Sequence, residues 1–169
     1  MTEPLITFYE VVMRPEWYRL ESGQAGDVWR DQQADFYSRV VGPHFELLCR
    51  SFAMHTGSAL FGAPVGEVGS GIVNDAPNRT HIEIDVAVLA PPEPGRPRRL
   101  LSLGEVKWGQ VMTPRHTARL ARARDLLAAS FDVSDCALAC YSAAGFSADL
   151  HDAAGPGLIL ISPSDLYLG

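Results

Sequence analysis

The sequence predicts an α/β domain with a central mixed β-sheet flanked by helices. Three observations lead there. Two alternating strand patterns, Glu83–Val88 and Leu101–Trp108, are joined by a connection rich in Pro, Gly and Arg. A helix opened by Thr113-Pro114 follows them. Then comes a strand–helix–strand passage ending at Leu158–Ile161. Antiparallel neighbours need only a short turn, whereas a strand–helix–strand crossover places its strands parallel, so both kinds of pairing are expected in one sheet.

The bulk properties suit such a domain. The chain has 169 residues, 47% hydrophobic and 20% charged, within the ordinary globular range. At this length a single domain buries roughly 68–70% of its unfolded surface. A net charge of −6 argues against whole-surface nucleic-acid binding, since phosphate affinity comes from Lys and Arg, but clustered cations override a net value. Cys49, Cys136 and Cys140 form neither a disulfide framework nor a metal spacing, and the last two fall in an apolar run as core residues. No apolar run approaches a membrane span and no secretory leader opens the chain, so a cytoplasmic protein is expected.

Residues 1–34 read as an irregular or partly helical lead-in, interrupted at Pro15. Leu5, Phe8, Tyr9, Val12, Trp17 and Tyr18 would form a sticky patch if exposed together, so this segment is expected to pack on the domain or on a partner. The domain proper is expected over 35–169. Phe36, Val40, Phe45, Leu48 and Phe52 recur at helical spacing from Asp35 to about His55, with a break expected at Gly42-Pro43. The glycines of Leu60–Ile72 fit a twisted hairpin strand, and Asn74–Thr80 a turn. The helix from Thr113-Pro114 is expected to reach about Phe131, packing through Ala118, Ala121, Leu126 and Leu127. Cys136–Tyr141 is a buried strand, and Pro163–Leu168 closes the chain.

The chemistry concentrates in the two central strands. Side chains alternate faces. Ile82, Ile84, Val86 and Val88 therefore form an apolar face, while Glu83 and Asp85 point the other way. In the second strand Leu101, Leu103, Glu105 and Lys107 share a face that turns charged at its end. Pairing these strands would gather Asp85, Glu105 and Lys107. Magnesium takes one or two carboxylates, several waters and substrate phosphate oxygens. Asp85 and Glu105 would supply the carboxylates, and Val106 a carbonyl. Lys107 would lie near a metal-activated water or the charge developing on phosphorus. The plain alternative is an i, i+2 ion pair on a solvated strand end, worth under about 1 kcal/mol. Arg115, Arg119 and Arg122 fall at i, i+4 and i+7 as a basic helix stripe, either phosphate-facing or merely solvated. Arg98 and Arg99, with Arg96, form a basic loop between the strands that would position a phosphate backbone or simply keep the loop soluble. His81 is a further ligand or base candidate, and Trp108 a base-stacking one; a structural place is the commoner role for each.

Glu46 on a helix, Asp85 in EID, and Glu105 with Lys107 in GEVKW together resemble the PD-(D/E)XK nuclease superfamily, the restriction-endonuclease-like fold. The ordered series GPHFE, EIDVAV, GEVKW, CYSAAGF and SPSDLY resembles, more narrowly, a domain of unknown function at the C-terminus of archaeal-type AAA+ ATPases. The likeness covers residues 35–169 and lacks the proline before the aspartate that names the superfamily. It implies a Mg²⁺- or Mn²⁺-dependent nuclease with metal and catalytic roles on Asp85, Glu105 and Lys107, and Glu46 as the helix carboxylate. DNA is the expected substrate, with RNA open, and an ATPase domain or partner chain is an expected associate. Homo-oligomerisation is left open. The competing expectation is a non-catalytic module on the same fold, docking on nucleic acid or an ATPase.

Overall fold

The computed structural model describes residues 3–168. The chain divides into two compact units, Met1–Leu47 and Leu48–Gly169. The second unit holds a five-stranded sheet in the order β1-β2-β3-β4-β5: β1 Glu67–Asp75, β2 Thr80–Leu89, β3 Leu100–Lys107, β4 Ala137–Ser142 and β5 Leu158–Ile161. The first three strands run antiparallel and the last two pairings are parallel, so the sheet is mixed as expected. β1 begins later than the glycine pattern suggests. Gly62 (φ 66°) closes the preceding helix. Between Gly69 and Gly71 two steps of β1 face three of β2, a bulge on β2. It leaves Ile82 and Ile84 in the core with Leu103 while Val86 lies against Gly104 on the other face, not on the single apolar face expected. The β1–β2 turn is a single 3₁₀ turn, Ala76–Asn78, closed by Arg79 in the left-handed region (φ 51°).

β2 follows the alternation read from sequence. Ile82, Ile84, Val86 and Val88 are buried, Glu83 is exposed and Asp85 half-buried. β3 is buried from Leu100 to Val106, because both its neighbours are strands and helices pack near it. Gly104 is needed there. A Cβ at this position would lie 2.7 Å from the Tyr141 ring and 3.2 Å from the Val86 Cβ. The ring thus occupies the space that a side chain at 104 would take.

Helix α5, Pro114–Leu127, packs against β1 to β4. Its first turn is held by a cap that the Thr-Pro signature foreshadows. The Thr113 backbone N–H donates to His116 Nδ1 at 3.0 Å. Leu120 and Ala123 are the buried residues that join Leu103 and Leu138 in the core, contributing about 1.5–3 kcal/mol for each leucine removed from water. This shifts the packing stripe from the one expected. Ala121, Leu126 and Leu127 flank the core, but Ala118 is exposed. The helix also ends at Leu127, short of Phe131. Short helices α6 (Ala148–Asp152) and α7 (Pro163–Leu168) flank β5 in sequence.

The first unit is almost wholly helical, where an irregular or partly helical lead-in is expected over residues 1–34: α1 Pro4–Phe8, α2 Trp17–Glu21, α3 Ala25–Phe36 and the start of α4, Gly42–Phe61. Two π turns, Tyr9–Met13 and Tyr37–Val41, each end two residues before a proline, Pro15 or Pro43. Proline has no N–H to donate, and its ring excludes the carbonyl four residues back. Widening the turn accommodates both constraints. Arg14 N–H reaches Tyr9 O at 2.8 Å, and Gly42 N–H reaches Tyr37 O. The expected break at Gly42-Pro43 is therefore a π turn, and α3 runs through it into α4. Within this unit Phe8, Trp29 and Tyr37 contact the Phe36 ring at centroid distances of 5.1–5.5 Å. Val12, Val28 and Val40 are buried, yet Leu5, Trp17 and Tyr18 remain substantially exposed. No helix among the described residues is long and apolar enough to cross a membrane.

Gly104→Ala is expected to cost about 1–3 kcal/mol by overpacking, read as a lower urea midpoint at unchanged slope. A neutral result would show that the Tyr141 ring yields.

Candidate active site

The site forms where the β2–β3 ladder ends. The last paired positions are Val86 and Gly104, so the next rung places Asp85 beside Glu105 on one face. A side chain closes the strands here: the Val106 N–H donates to Asp85 Oδ2 at 2.8 Å. On the other side of β3, the parallel pairing sets Cys140 level with Glu105 and Ser142 level with Lys107. Arg50, on the part of α4 within the second unit, donates to the Asp85 carbonyl at 2.8 Å, tying helix to strand at the residue that carries the carboxylate.

Glu105 is 2% exposed, and neither of its carboxylate oxygens accepts an aligned hydrogen bond. Two cations approach the same atom: Lys107 Nζ lies 3.0 Å and an Arg119 guanidinium nitrogen 3.5 Å from Oε1. A buried carboxylate held only by loosely directed ion pairs is unusual, because desolvating such a group costs several kcal/mol unless it is paired and hydrogen-bonded. Burial raises the Asp85 carboxyl above the usual carboxylate range. The Val106 N–H and the Lys107 charge oppose that rise, and the Glu105 and Glu83 charges add to it. Burial, with the Glu105 charge, pushes the Cys140 thiol up to about 12, so this cysteine is an inert wall and not a nucleophile.

A groove of about 660 Å³ opens between α5 and the turn end of β1–β2, with Arg115, Arg119 and Arg122 on one wall and Asn78, Thr80 and His81 on the other. The three arginines predicted as a stripe do share this groove, but they differ in state. Arg122 is clamped by two 2.9 Å hydrogen bonds to the Asp75 carboxylate, which also accepts from Asn78. These bonds hold the buried Asp75 well below the usual carboxylate range. Arg119 leans on Glu105, and Arg115 sits one turn before it. Asp75 was not anticipated. In sequence it belongs to a turn-forming NDAPN, and nothing local marks it as the partner of a residue 47 positions away.

The remaining predicted residues fall elsewhere. Arg98 donates to the Ala90 carbonyl and to Glu67, and Arg99 pairs with Asp135. Both precede β3, whereas the carboxylate site is at its far end. Six extended residues separate Arg99 from Glu105, roughly 20 Å, so the basic loop does not reach the site. Val106, expected to offer its carbonyl, lends its N–H to Asp85. Trp108 follows the site strand and is 39% exposed. Glu46 lies in the first unit, on the opening turns of α4, four residues before Arg50.

A mixed five-stranded α/β sheet with two carboxylates and two cations at one strand end defines the class of domain. No family model matches the chain, and no curated protein or solved structure matches it either. Among the described residues no group of three or more His, Cys, Asp or Glu side chains is poised to hold a metal. Asp85 and Glu105 nevertheless fit Mg²⁺, which takes one or two carboxylates and keeps its waters. The observation behind that fit is the buried Glu105 carboxylate, whose oxygens accept no aligned hydrogen bond.

Two measurements test these electrostatics. A raised native pKa means that ionised Asp85 costs stability: the cost is absent below the unfolded value near 3.9 and complete above the native value. Asp85→Asn, which keeps an acceptor for Val106, is therefore expected to raise the metal-free Tm at pH 7, the gain vanishing below about pH 4. Asp75 has the opposite sign, with stability present above the unfolded value near 3.9 and lost as pH falls toward its depressed native value. Asp75→Asn should lower the Tm at pH 7 and converge with the parent protein in acid.

Proposed function

We propose that this chain is a metal-dependent nuclease that hydrolyses DNA phosphodiester bonds. The observation that carries the reading is Glu105: a buried carboxylate without aligned hydrogen bonds, beside Asp85 and flanked by Lys107. The likeness of EID and GEVKW to the PD-(D/E)XK superfamily supports the same assignment. Asp85 and Glu105 would hold Mg²⁺ or Mn²⁺. Bound there, the ion would supply an activated water and offset charge on the phosphate.

The chain's own residues do the rest. The Val106 N–H fixes one Asp85 oxygen and leaves the other for the ion. Lys107 is the catalytic cation. It orients the attacking water and offsets the negative charge that builds on the phosphoryl oxygens. Arg115 and Arg119 face the groove where the backbone of the substrate strand would run, supplying contacts that position without reading sequence. The same likeness names Glu46, on the part of α4 that belongs to the first unit, as the helix carboxylate. An ATPase domain or partner chain would then present the substrate.

The second reading is a non-catalytic module that docks on nucleic acid or an ATPase. It draws support from the apolar groove of the first unit, lined by Leu5, Phe8 and Trp29 among others, because exposed apolar patches mark interaction surfaces.

Plasmid and single-stranded DNA incubated with Mg²⁺ or Mn²⁺ should be cleaved. Asp85→Ala, Glu105→Ala and Lys107→Ala should each lower the rate at least about a hundredfold. A folded protein that binds DNA in a salt-dependent way and cleaves nothing under either metal would support the module instead.

A further inference from the structure

We infer that Arg119 changes partners. It pairs with Glu105 when the carboxylates hold no divalent ion, and with a groove phosphate when they do, so that metal and nucleic-acid backbone bind cooperatively. The inference rests on the metal-binding reading of Asp85 and Glu105 and adds a residue that couples that site to the groove.

The contrast within α5 carries it. Arg122 and Arg119 each meet a carboxylate that is 2% exposed, and both line the same groove. Arg122 makes two aligned bonds at 2.9 Å, a fork that fits a carboxylate and fixes it in place. Arg119 makes none. Its nearest approach is 3.5 Å, to an oxygen already 3.0 Å from Lys107, and 46% of its side chain is exposed. The guanidinium therefore has both room to leave and little directional bonding to lose.

A divalent ion on Glu105 removes the reason for staying. The ion compensates the carboxylate better than a third-neighbour guanidinium does, and it repels the two cations already gathered at Oε1. Lys107 is held near by its strand, two residues from Glu105. Arg119 reaches in from a separate helix and can swing back along the groove. There it meets Arg115, one turn away on the same helix face, where the side chains of i and i+4 are neighbours. Two like charges so placed repel unless an anion lies between them, and a phosphate diester is such an anion.

Linkage makes this measurable without catalysis. If metal raises phosphate affinity by releasing Arg119, then phosphate must raise metal affinity by the same factor. The experiment is calorimetric titration of Ca²⁺, an oxygen-seeking divalent ion, with and without a duplex oligonucleotide. It is run on the parent protein, Arg119→Ala, Arg119→Lys and Arg115→Ala, with circular dichroism to confirm folding. In the parent protein Ca²⁺ should tighten DNA binding about tenfold, within the usual range of coupling, and DNA should tighten Ca²⁺ equally. Arg119→Ala should bind Ca²⁺ more tightly than the parent protein when DNA is absent, and its coupling should shrink at least about threefold. Arg119→Lys should restore part of that coupling. Arg115→Ala should weaken DNA binding with and without Ca²⁺ while leaving the coupling factor in place.

Equal coupling in the parent protein and Arg119→Ala overturns the exchange and leaves the metal site standing. Failure to bind Ca²⁺, or failure to bind DNA, overturns the exchange together with the reading it rests on. Coupling that depends on Arg119 in a protein that cleaves nothing supports the exchange and removes only the hydrolytic function.

Discussion

The burial of the Glu105 carboxylate constrains most of what surrounds it. A carboxylate at 2% exposure has lost its water, and that loss costs free energy unless the fold delivers compensating charge. Lys107 on the same strand face and Arg119 from α5 deliver it, at 3.0 and 3.5 Å. Neither arrangement is the hydrogen-bonded geometry that would make the pair a stabilising element in its own right. Replacing such groups by apolar ones of similar volume is often neutral or better for stability. The strand thus keeps charge where its own periodicity calls for an apolar residue.

Around that group the sheet is shaped to hold position. Gly104 leaves room for the Tyr141 ring beside β3, on the face opposite Glu105. Val106 ties its backbone to Asp85, and Arg50 ties the Asp85 carbonyl to α4. The two carboxylates therefore sit on backbone that is bonded on both strands. Helix α5 spans two buried acids with two arginines of different tightness. Asp75 and Arg122 form the anchor that orients the helix, and Arg119 is left with one loose contact. Placing the firm and the loose contact on one helix separates the job of holding the groove wall from that of responding to the site.

The first unit solves a different problem. Two prolines would end its helices, and two π turns carry the backbone past them instead. The unit keeps an aromatic cluster around Phe36 but leaves an apolar groove of about 420 Å³, lined by residues such as Leu5, Phe8, Trp29 and Val41.

Much of the second unit could be read from the sequence because its signals are local. Alternation in Ile82–Val88 sets which residues of β2 are buried, and the same period in β3 places Glu105 and Lys107 together. Thr113-Pro114 marks the start of α5, and the crossover from β4 to β5 calls for parallel strands. These follow from backbone geometry alone and survive any packing. What the sequence does not contain is the energy of contacts between distant segments. It presents Asp75 as a turn residue, and only the fold turns it into the buried clamp of Arg122, 47 positions on. It presents three equivalent arginines, whereas packing divides them into one locked, one leaning on a carboxylate and one open. It places Arg98 and Arg99 near the site in sequence order, but the extended strand carries them to its far end. Periodicity determined the faces; tertiary packing alone decided which charges meet, because pairing depends on through-space distance and not on separation along the chain.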